Sequence, residues 1–151
     1  MGIFETMRVS LSALTAQRLR MDVVTSNIAN VETTRSPQGG PYLRRQVIFQ
    51  AEAGSPFATL LETQIGGRQG PSGAARGVMV VGIRSDPGAV REVYDPRHPD
   101  ADENGLVRYP DIDVITEMAD LLAATRAYEA NVTVLNAVKN MAMRALSIGR
   151  A

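Results

Sequence analysis

The chain has 151 residues, with 16 basic and 16 acidic side chains, so its formal net charge at pH 7 is zero. A balanced charge gives no global field that would attract nucleic acid or an anionic membrane. Cysteine is absent, which excludes disulfides, thiolate metal sites and cysteine nucleophiles. His98 is the single histidine and leaves little from which to build a catalytic triad. These counts predict a non-enzyme with no cofactor and no small-molecule substrate.

The first predicted element is a helix over residues 2–31. Its apolar residues recur every three or four positions, which places them along one stripe of a helix. The stripe consists of Phe4, Met7, Leu11, Leu14, Met21 and Ile28. Such a helix either packs on its own domain or pairs with the end of the chain and with neighbouring subunits. The distribution of helix-breaking residues favours pairing of the two chain ends, because all eight prolines and eleven of thirteen glycines lie in residues 37–110.

The middle of the chain, residues 35–110, is predicted to contain short strands and loops. Strand-forming residues cluster at residues 42–50, 78–83, 90–94 and 106–109. A turn sequence at residues 85–88 predicts that the second and third of these strands form a hairpin. The glycine-rich stretch at about 64–77 predicts a mobile loop. It lacks the G-K-[ST] ending of a phosphate-binding loop, so nucleotide binding is not favoured.

One segment of the middle resembles a calcium-binding loop. Four residues match the opening of such a loop: Asp100, Asp102, Asn104 and Gly105. The twelfth position is Asp111 instead of the usual glutamate, and Pro99 prevents a helix from entering the loop. A turn whose polar side chains bond their own backbone is therefore favoured over a metal site, with Gly105 at positive φ. His98 is expected to form hydrogen bonds in the same region.

The last predicted element is a helix over residues 111–149, about 57 Å long. No proline or glycine interrupts it before Gly149, and Asp111 or Asp113 can cap its start. Its stripe runs through Val114, Met118, Leu121, Thr125, Tyr128, Val132 and Leu135. A helix this long cannot bury its stripe against a small domain, so it requires another long helix as its partner.

Polar residues interrupt the apolar stripes at two places. Asn30 closes the first helix, and we predict that it is a left-handed cap. Asn131 lies in the interior of the last helix, where no cap is needed. We predict that its amide bonds across an interface and fixes the register, as buried polar residues do in coiled coils.

Several motifs in combination carry a family resemblance. They are SNIAN at residues 26–30 with Thr33 after it, GGPY at 39–42, VVGI at 80–83, DPRHPDAD at 95–102 and RAYEAN at 126–131. The chain resembles the axial rod and hook proteins of the bacterial flagellum, and among them the subunits of the proximal rod. Arg97 departs from this pattern, because a glycine is expected there.

The resemblance implies an α+β fold in which long N- and C-terminal helices form a coiled-coil core around a small β-rich middle segment. It divides the chain into residues 1–34, 35–110 and 111–151. It implies a structural subunit of a torque-transmitting tube. Its partners would be its own copies, other rod subunits, the basal-body membrane ring and the flagellar type III export apparatus. The subunit would be located in the periplasmic part of the basal body, and it would be exported there without a cleaved signal peptide.

The stripes and the family motifs together predict an assembly interface. Its residues are Leu11, Leu14, Met21, Ser26, Asn27, Ile28, Asn30, Met118, Leu121, Tyr128, Asn131, Val132 and Leu135. We expect the terminal helices to be largely disordered in an isolated subunit. Three alternatives stay open: a stand-alone helical adaptor, a calcium-dependent binding protein and a different rod subunit of the same family.

Overall fold

A computed structural model describes residues 2–37, 39–52 and 77–149. Two long helices enclose four strands along the chain, and this order confirms the predicted α+β class. The elements are α1 (Ile3–Ala29), β1 (Arg45–Ala51), β2 (Val78–Ser85), β3 (Val90–Tyr94), β4 (Leu106–Pro110) and α2 (Val114–Ile148). The predicted mobile loop lies outside the described residues except for Gly77. Among the described helices, none combines the length and hydropathy that crossing a membrane requires.

The chain divides into two compact units, each built from separate stretches. The first unit comprises residues 1–17, 49–81 and 127–151, and the second comprises residues 18–48 and 82–126. The predicted division into residues 1–34, 35–110 and 111–151 follows secondary structure instead, and it stays a prediction.

The first helix, α1, has 27 residues and ends differently from expectation. The Asn30 side-chain amide donates to the Ser26 carbonyl oxygen at 2.8 Å, a second bond to a carbonyl that also accepts the Asn30 backbone amide at 3.2 Å. Among the described residues, only glycines have positive φ. The prediction that Asn30 forms a left-handed cap is therefore wrong. A side-chain bond closes this helix end in place of a backbone reversal.

The last helix, α2, has 35 residues, which corresponds to about 52 Å. It begins three residues later than predicted, because the Asp111 amide donates to the Ala89 carbonyl oxygen at 2.9 Å and keeps Asp111 beside β3. Asp113 is the cap. Its carboxylate accepts the Thr116 hydroxyl and the Ile115 amide, the latter at 3.1 Å. These hydrogen bonds, the one from Thr116 above all, lower the pKa of Asp113 from its usual value of 3.8.

The strands form two separate two-stranded sheets, β1 with β2 and β3 with β4. β3 and β4 are antiparallel, with Val90 opposite Pro110 and Tyr94 opposite Leu106. The predicted hairpin of β2 with β3 is wrong. The turn at Asp86 exists, since the Ala89 amide donates to the Asp86 carbonyl oxygen at 3.3 Å. It carries the chain from one sheet to the other, because a local turn sequence does not specify which strands pair.

The calcium-like segment is a turn held by its own side chains. Asp102 Oδ1 accepts the amides of Asn104 at 3.0 Å and Leu106 at 2.9 Å. Gly105 has φ of 74°, and a Cβ there would lie 3.0 Å from the Tyr94 ring. His98 Nδ1 accepts the Asp100 amide at 3.1 Å, which confirms its expected hydrogen-bonding role. Within the described ranges, no three carboxylates or imidazoles are grouped to hold a metal ion.

The second unit contains most of the buried apolar side chains among the described residues. They come from α1, β4, α2 and the segments before β1 and α2, and they are Val23, Val24, Tyr42, Val107, Ile112 and Ala124. In the first unit, Ala16 of α1 and Val138 of α2 are buried. There the Val78 amide at the start of β2 donates to Ser12 Oγ at 3.1 Å.

Candidate assembly site

A buried polar cluster lies in the second unit where three elements meet. We call it the Asn27 cluster, and it consists of Asn27, Tyr42, Arg44, Arg45 and Glu117. Asn27 is in the last turn of α1, Arg45 is the first residue of β1, and Glu117 is in the first turn of α2. Asn27 and Glu117 are each 1% exposed. Polar groups this deeply buried require partners.

Asn27 uses the full hydrogen-bonding capacity of its side-chain amide. Its Oδ1 accepts the Arg45 amide and the Tyr42 hydroxyl, both at 3.0 Å. Its Nδ2 donates to the Arg45 carbonyl oxygen at 2.9 Å and to Glu117 Oε2 at 3.1 Å. An amide has two donor hydrogens and two acceptor positions, so Asn27 has no capacity left for a neighbouring subunit while these bonds exist.

Glu117 is held from two sides. Its Oε2 accepts Asn27, and its Oε1 accepts Arg44 Nε at 2.7 Å and Arg44 Nη2 at 2.6 Å. The Glu117 side chain is 2% exposed and that of Arg44 is 25% exposed. A carboxylate at this depth is stable only with such charged and hydrogen-bonded partners. The ion pair therefore fixes the side chain of the residue that precedes β1.

Ser26 and Arg45 complete the surroundings of the cluster. Ser26 Oγ lies 3.3 Å from the Tyr42 hydroxyl oxygen. The Tyr42 hydroxyl donates its single hydrogen to Asn27. The Ser26 hydroxyl is therefore the donor in its bond with Tyr42. The Arg45 guanidinium lies 5.4 Å from the centre of the Tyr42 ring, a cation–π arrangement. Ser26, Asn27 and Asn30 of the SNIAN motif thus all have defined bonds within one chain.

The predicted interface residues of α1 differ in exposure. Leu11 is 59% exposed, and Leu14, Met21 and Ile28 are half-buried. The Met21 sulfur lies 3.6 Å from the Thr125 hydroxyl oxygen, and this contact brings the predicted stripes of both helices together. The Thr125 hydroxyl donates its hydrogen to the Leu121 carbonyl oxygen of its own helix at 2.9 Å.

One of the six predicted interface residues of α2 is exposed and the other five are half-buried. Met118 is 54% exposed. The others are half-buried: Leu121, Tyr128, Asn131, Val132 and Leu135. The Asn131 amide donates to the Ala127 carbonyl oxygen of its own helix at 2.8 Å. Its predicted bond across an interface stays a prediction that would require this amide to change partner.

Sequence reasoning missed several residues. Arg44 and Glu117 were not among the predicted functional residues. The carboxylate next to the stripe position Met118 was the signal that could have indicated Glu117. Large exposed apolar side chains of α2 were also missed because they lie beside the predicted stripe. They include Ile115 at 79%, Leu122 at 60% and Met143 at 59% exposed.

Comparison with known proteins connects this geometry to a family. A family model described as flagella basal body rod protein matches residues 7–35, and one described as flagellar basal body rod FlgEFG protein C-terminal matches residues 103–148. Flagellar basal-body rod protein FlgC of Bacillus subtilis is 47% identical over 154 residues, covering 99% of this chain and 100% of the relative. The chain belongs to the FlgC family.

Two further FlgC proteins give the same result. That of Borreliella burgdorferi is 41% identical, with 98% of both chains covered. That of Salmonella typhimurium is 35% identical, with 99% of this chain and 100% of the relative covered. The chain is therefore a structural subunit of the flagellar basal-body rod and not an enzyme, and it assembles with other rod components. The residues matched by the two family models contain most of α1 and the whole of β4 and α2.

Proposed function

We propose that α1 and α2 form this subunit's share of a coiled-coil core in the proximal rod, through the thirteen interface residues predicted above. The resulting tube transmits torque. The strands lie outside that core. Membership of a family of rod proteins supports the proposal, together with two long helices that expose apolar side chains.

The observation that carries this proposal is the exposed apolar surface of α2. In the second unit, Ile115, Met118 and Leu122 follow one another at spacings of three and four, and each is at least half exposed. In the first unit, Val134, Met141 and Ile148 recur every seven residues and are 43–78% exposed. A repeat of seven is the spacing of a coiled-coil stripe. Grouped exposed apolar side chains of this kind mark protein–protein contacts.

The remaining parts of the proposal concern location and route. The subunit lies in the periplasmic part of the basal body, next to the membrane ring. It leaves the cytoplasm through the flagellar type III export apparatus with its N-terminal segment retained. Peptide mapping of purified basal bodies tests this route, because recovery of the Gly2–Arg8 peptide is expected. Its consistent loss from assembled rods would contradict retention.

The decisive experiment compares two methionines. Met118 on α2 is 54% exposed and Met79 on β2 is 47% exposed. Replacing either by glutamine exchanges one exposed flexible side chain for another, so we expect both purified variants to unfold at the same urea concentration as the natural chain. In cells that carry each variant in place of the natural protein, Met118→Gln should reduce swimming and the yield of intact basal bodies.

Met79→Gln is the matched control, and it should swim better than Met118→Gln. Normal swimming and normal basal-body yield with Met118→Gln, and also with Leu11→Gln, would contradict the coiled-coil proposal.

A further inference from the structure

The bonds of Asn27 to Arg45 have an unusual feature: one side-chain amide pairs with both main-chain groups of a single residue. It accepts the Arg45 amide at 3.0 Å and donates to the Arg45 carbonyl oxygen at 2.9 Å. This is the pair of bonds that a hydrogen-bonded residue exchanges with its partner in an antiparallel ladder. Asn27 therefore occupies the place of a strand residue, although it belongs to a helix.

The position of this pairing in the sheet explains its effect. The Arg44 carbonyl oxygen accepts the Asp86 amide at 3.0 Å, so it faces the residue that directly follows β2. The main-chain groups of the next residue point to the opposite edge of a strand, and Asn27 satisfies them. Without Asn27, the first residue of β1 would present an unpaired edge.

The α2 helix enters the same arrangement through Glu117. Its carboxylate joins Asn27 to the Arg44 side chain, so that residues 44 and 45 are held through side chain and main chain at once. Asn27 and Glu117 are 90 residues apart in sequence. None of the three segments can satisfy its buried group alone, and an unpaired buried polar group is strongly unfavourable.

We propose that Asn27 and Glu117 are positioning residues that form a latch within each subunit. The latch fixes the end of α1 and the first turn of α2 to the start of β1, and the three segments become ordered together. Its importance for assembly rests on the proposed function, because the latched segments adjoin Ile28 and Met118 of the predicted interface. The latch itself exists in a single chain and requires no neighbour.

A direct test of the latch uses the natural full-length chain. A scalar coupling across the hydrogen bond between the Arg45 amide nitrogen and the Asn27 side-chain carbonyl carbon, measured by NMR, should be detectable. The Arg45 amide should also exchange with solvent far more slowly than in an unfolded chain. Absence of the coupling together with unprotected exchange would overturn the proposal without any variant.

Exchanging the amide and the carboxylate between positions 27 and 117 then tests the hydrogen bond that connects Asn27 to α2. In Asn27→Asp a carboxylate faces Glu117 and the Arg45 carbonyl oxygen, so exchange at Arg45 should accelerate about tenfold or more. In Glu117→Gln the single amide oxygen remains with the charged Arg44 side chain, so the amide nitrogen faces the Asn27 donor. The double variant restores one donor–acceptor match between these positions, so it should exchange more slowly at Arg45 than Asn27→Asp alone. Additive effects of the two substitutions would overturn the direct link.

Asn104→Asp is the matched control, because Asn104 is exposed in the turn before β4. It should leave exchange at Arg45 unchanged. In cells, the double variant should swim better than Asn27→Asp. If the latch behaves as expected in the purified chain but Asn27→Asp builds normal rods, the positioning role is wrong while the coiled-coil proposal stands. If Met118→Gln and Leu11→Gln both have no effect on rods, the coiled-coil proposal is wrong while the latch stands.

Discussion

The two units of this subunit are held by different kinds of contact. In the second unit, two side-chain hydrogen bonds join α1 to α2, from Arg20 to Asp120 at 2.8 Å and from Asn27 to Glu117 at 3.1 Å. In the first unit, the side chains of α2 that form hydrogen bonds among the described residues bond their own helix, as Asn131, Thr133 and Ser147 do. The side chains of this helix thus bond α1 at one end, whereas at the other end the described side chains that form hydrogen bonds bond only their own helix. The difference indicates which part of the subunit its own sequence completes and which part neighbours complete.

The largest expected effect is a contrast in amide exchange along each helix of the isolated chain. Residues 18–29 and 114–126 have the specific bonds of the second unit, so they should be protected. Residues 3–17 and 127–148 should exchange about a hundredfold faster or more, because local opening is easiest where buried contacts are few. This restricts the expected disorder before assembly from the whole of both terminal helices to residues 3–17 and 127–148. Uniform protection of both helices in a dilute monomer would contradict it.

A pair of valine substitutions compares a buried with an exposed position. Val107 in β4 is 0% exposed, whereas Val134 in α2 is 43% exposed. Val107→Ala should lower the free energy of unfolding by roughly 2–3 kcal/mol through lost burial and a cavity. Val134→Ala should change it by less than about 0.5 kcal/mol. Urea unfolding of the purified chain measures both. Equal effects would mean that the two units do not differ as described.

The ion pair between Arg20 and Asp120 should contribute less. Both side chains are about one-third exposed, at 33% and 38%. Exposed pairs of this kind contribute about 0.2–1 kcal/mol and are screened by salt. Asp120→Asn should therefore reduce stability slightly, and the difference from the natural chain should shrink in 1 M salt. An effect larger than that of Val107→Ala would show that polar bonds, not apolar burial, dominate the second unit.

The smallest effect concerns the cap of α2. The hydrogen bonds from Thr116 and Ile115 lower the pKa of Asp113 below 3.8, so its ionised form contributes stability at higher pH. That contribution is lost as the pH falls below 3.8 through the lowered pKa. The NMR shift of the Ile115 amide should therefore titrate below pH 3.8, and should not do so in Asp113→Asn, which retains a good cap residue. A midpoint above 3.8 would contradict the lowered pKa.

Much of this architecture was predictable because it depends on local pattern. The 3–4 spacing of apolar residues, the distribution of glycine and proline, and the two cap candidates Asp111 and Asp113 located both helices to within a few residues. The strand at residues 90–94 was predicted at its observed bounds. Asp102 and Gly105 indicated their turn correctly, since Asx and glycine turns are determined by a few adjacent residues.

Strand pairing and the Asn27 cluster could not be predicted, because both depend on residues far apart in sequence. The turn at residues 85–88 favoured a hairpin, yet each of its flanking strands pairs with a more distant one. Asn27 was predicted at an assembly interface, and its amide is instead fully bonded within the chain to residues 42, 45 and 117. Its role at an interface stays a prediction, acting through position and not through a free polar group.

The sequence by itself therefore determined the two long amphipathic helices, the breaker-rich middle and, through its motifs, the rod family. These follow from periodicity and from short local signals, which need no knowledge of the fold. Only the tertiary structure decided which strands pair, that Glu117 is buried, and that Asn27 completes the edge of β1. Burial and pairing of that kind arise when the compact chain brings distant backbone and side-chain groups within hydrogen-bonding distance of one another.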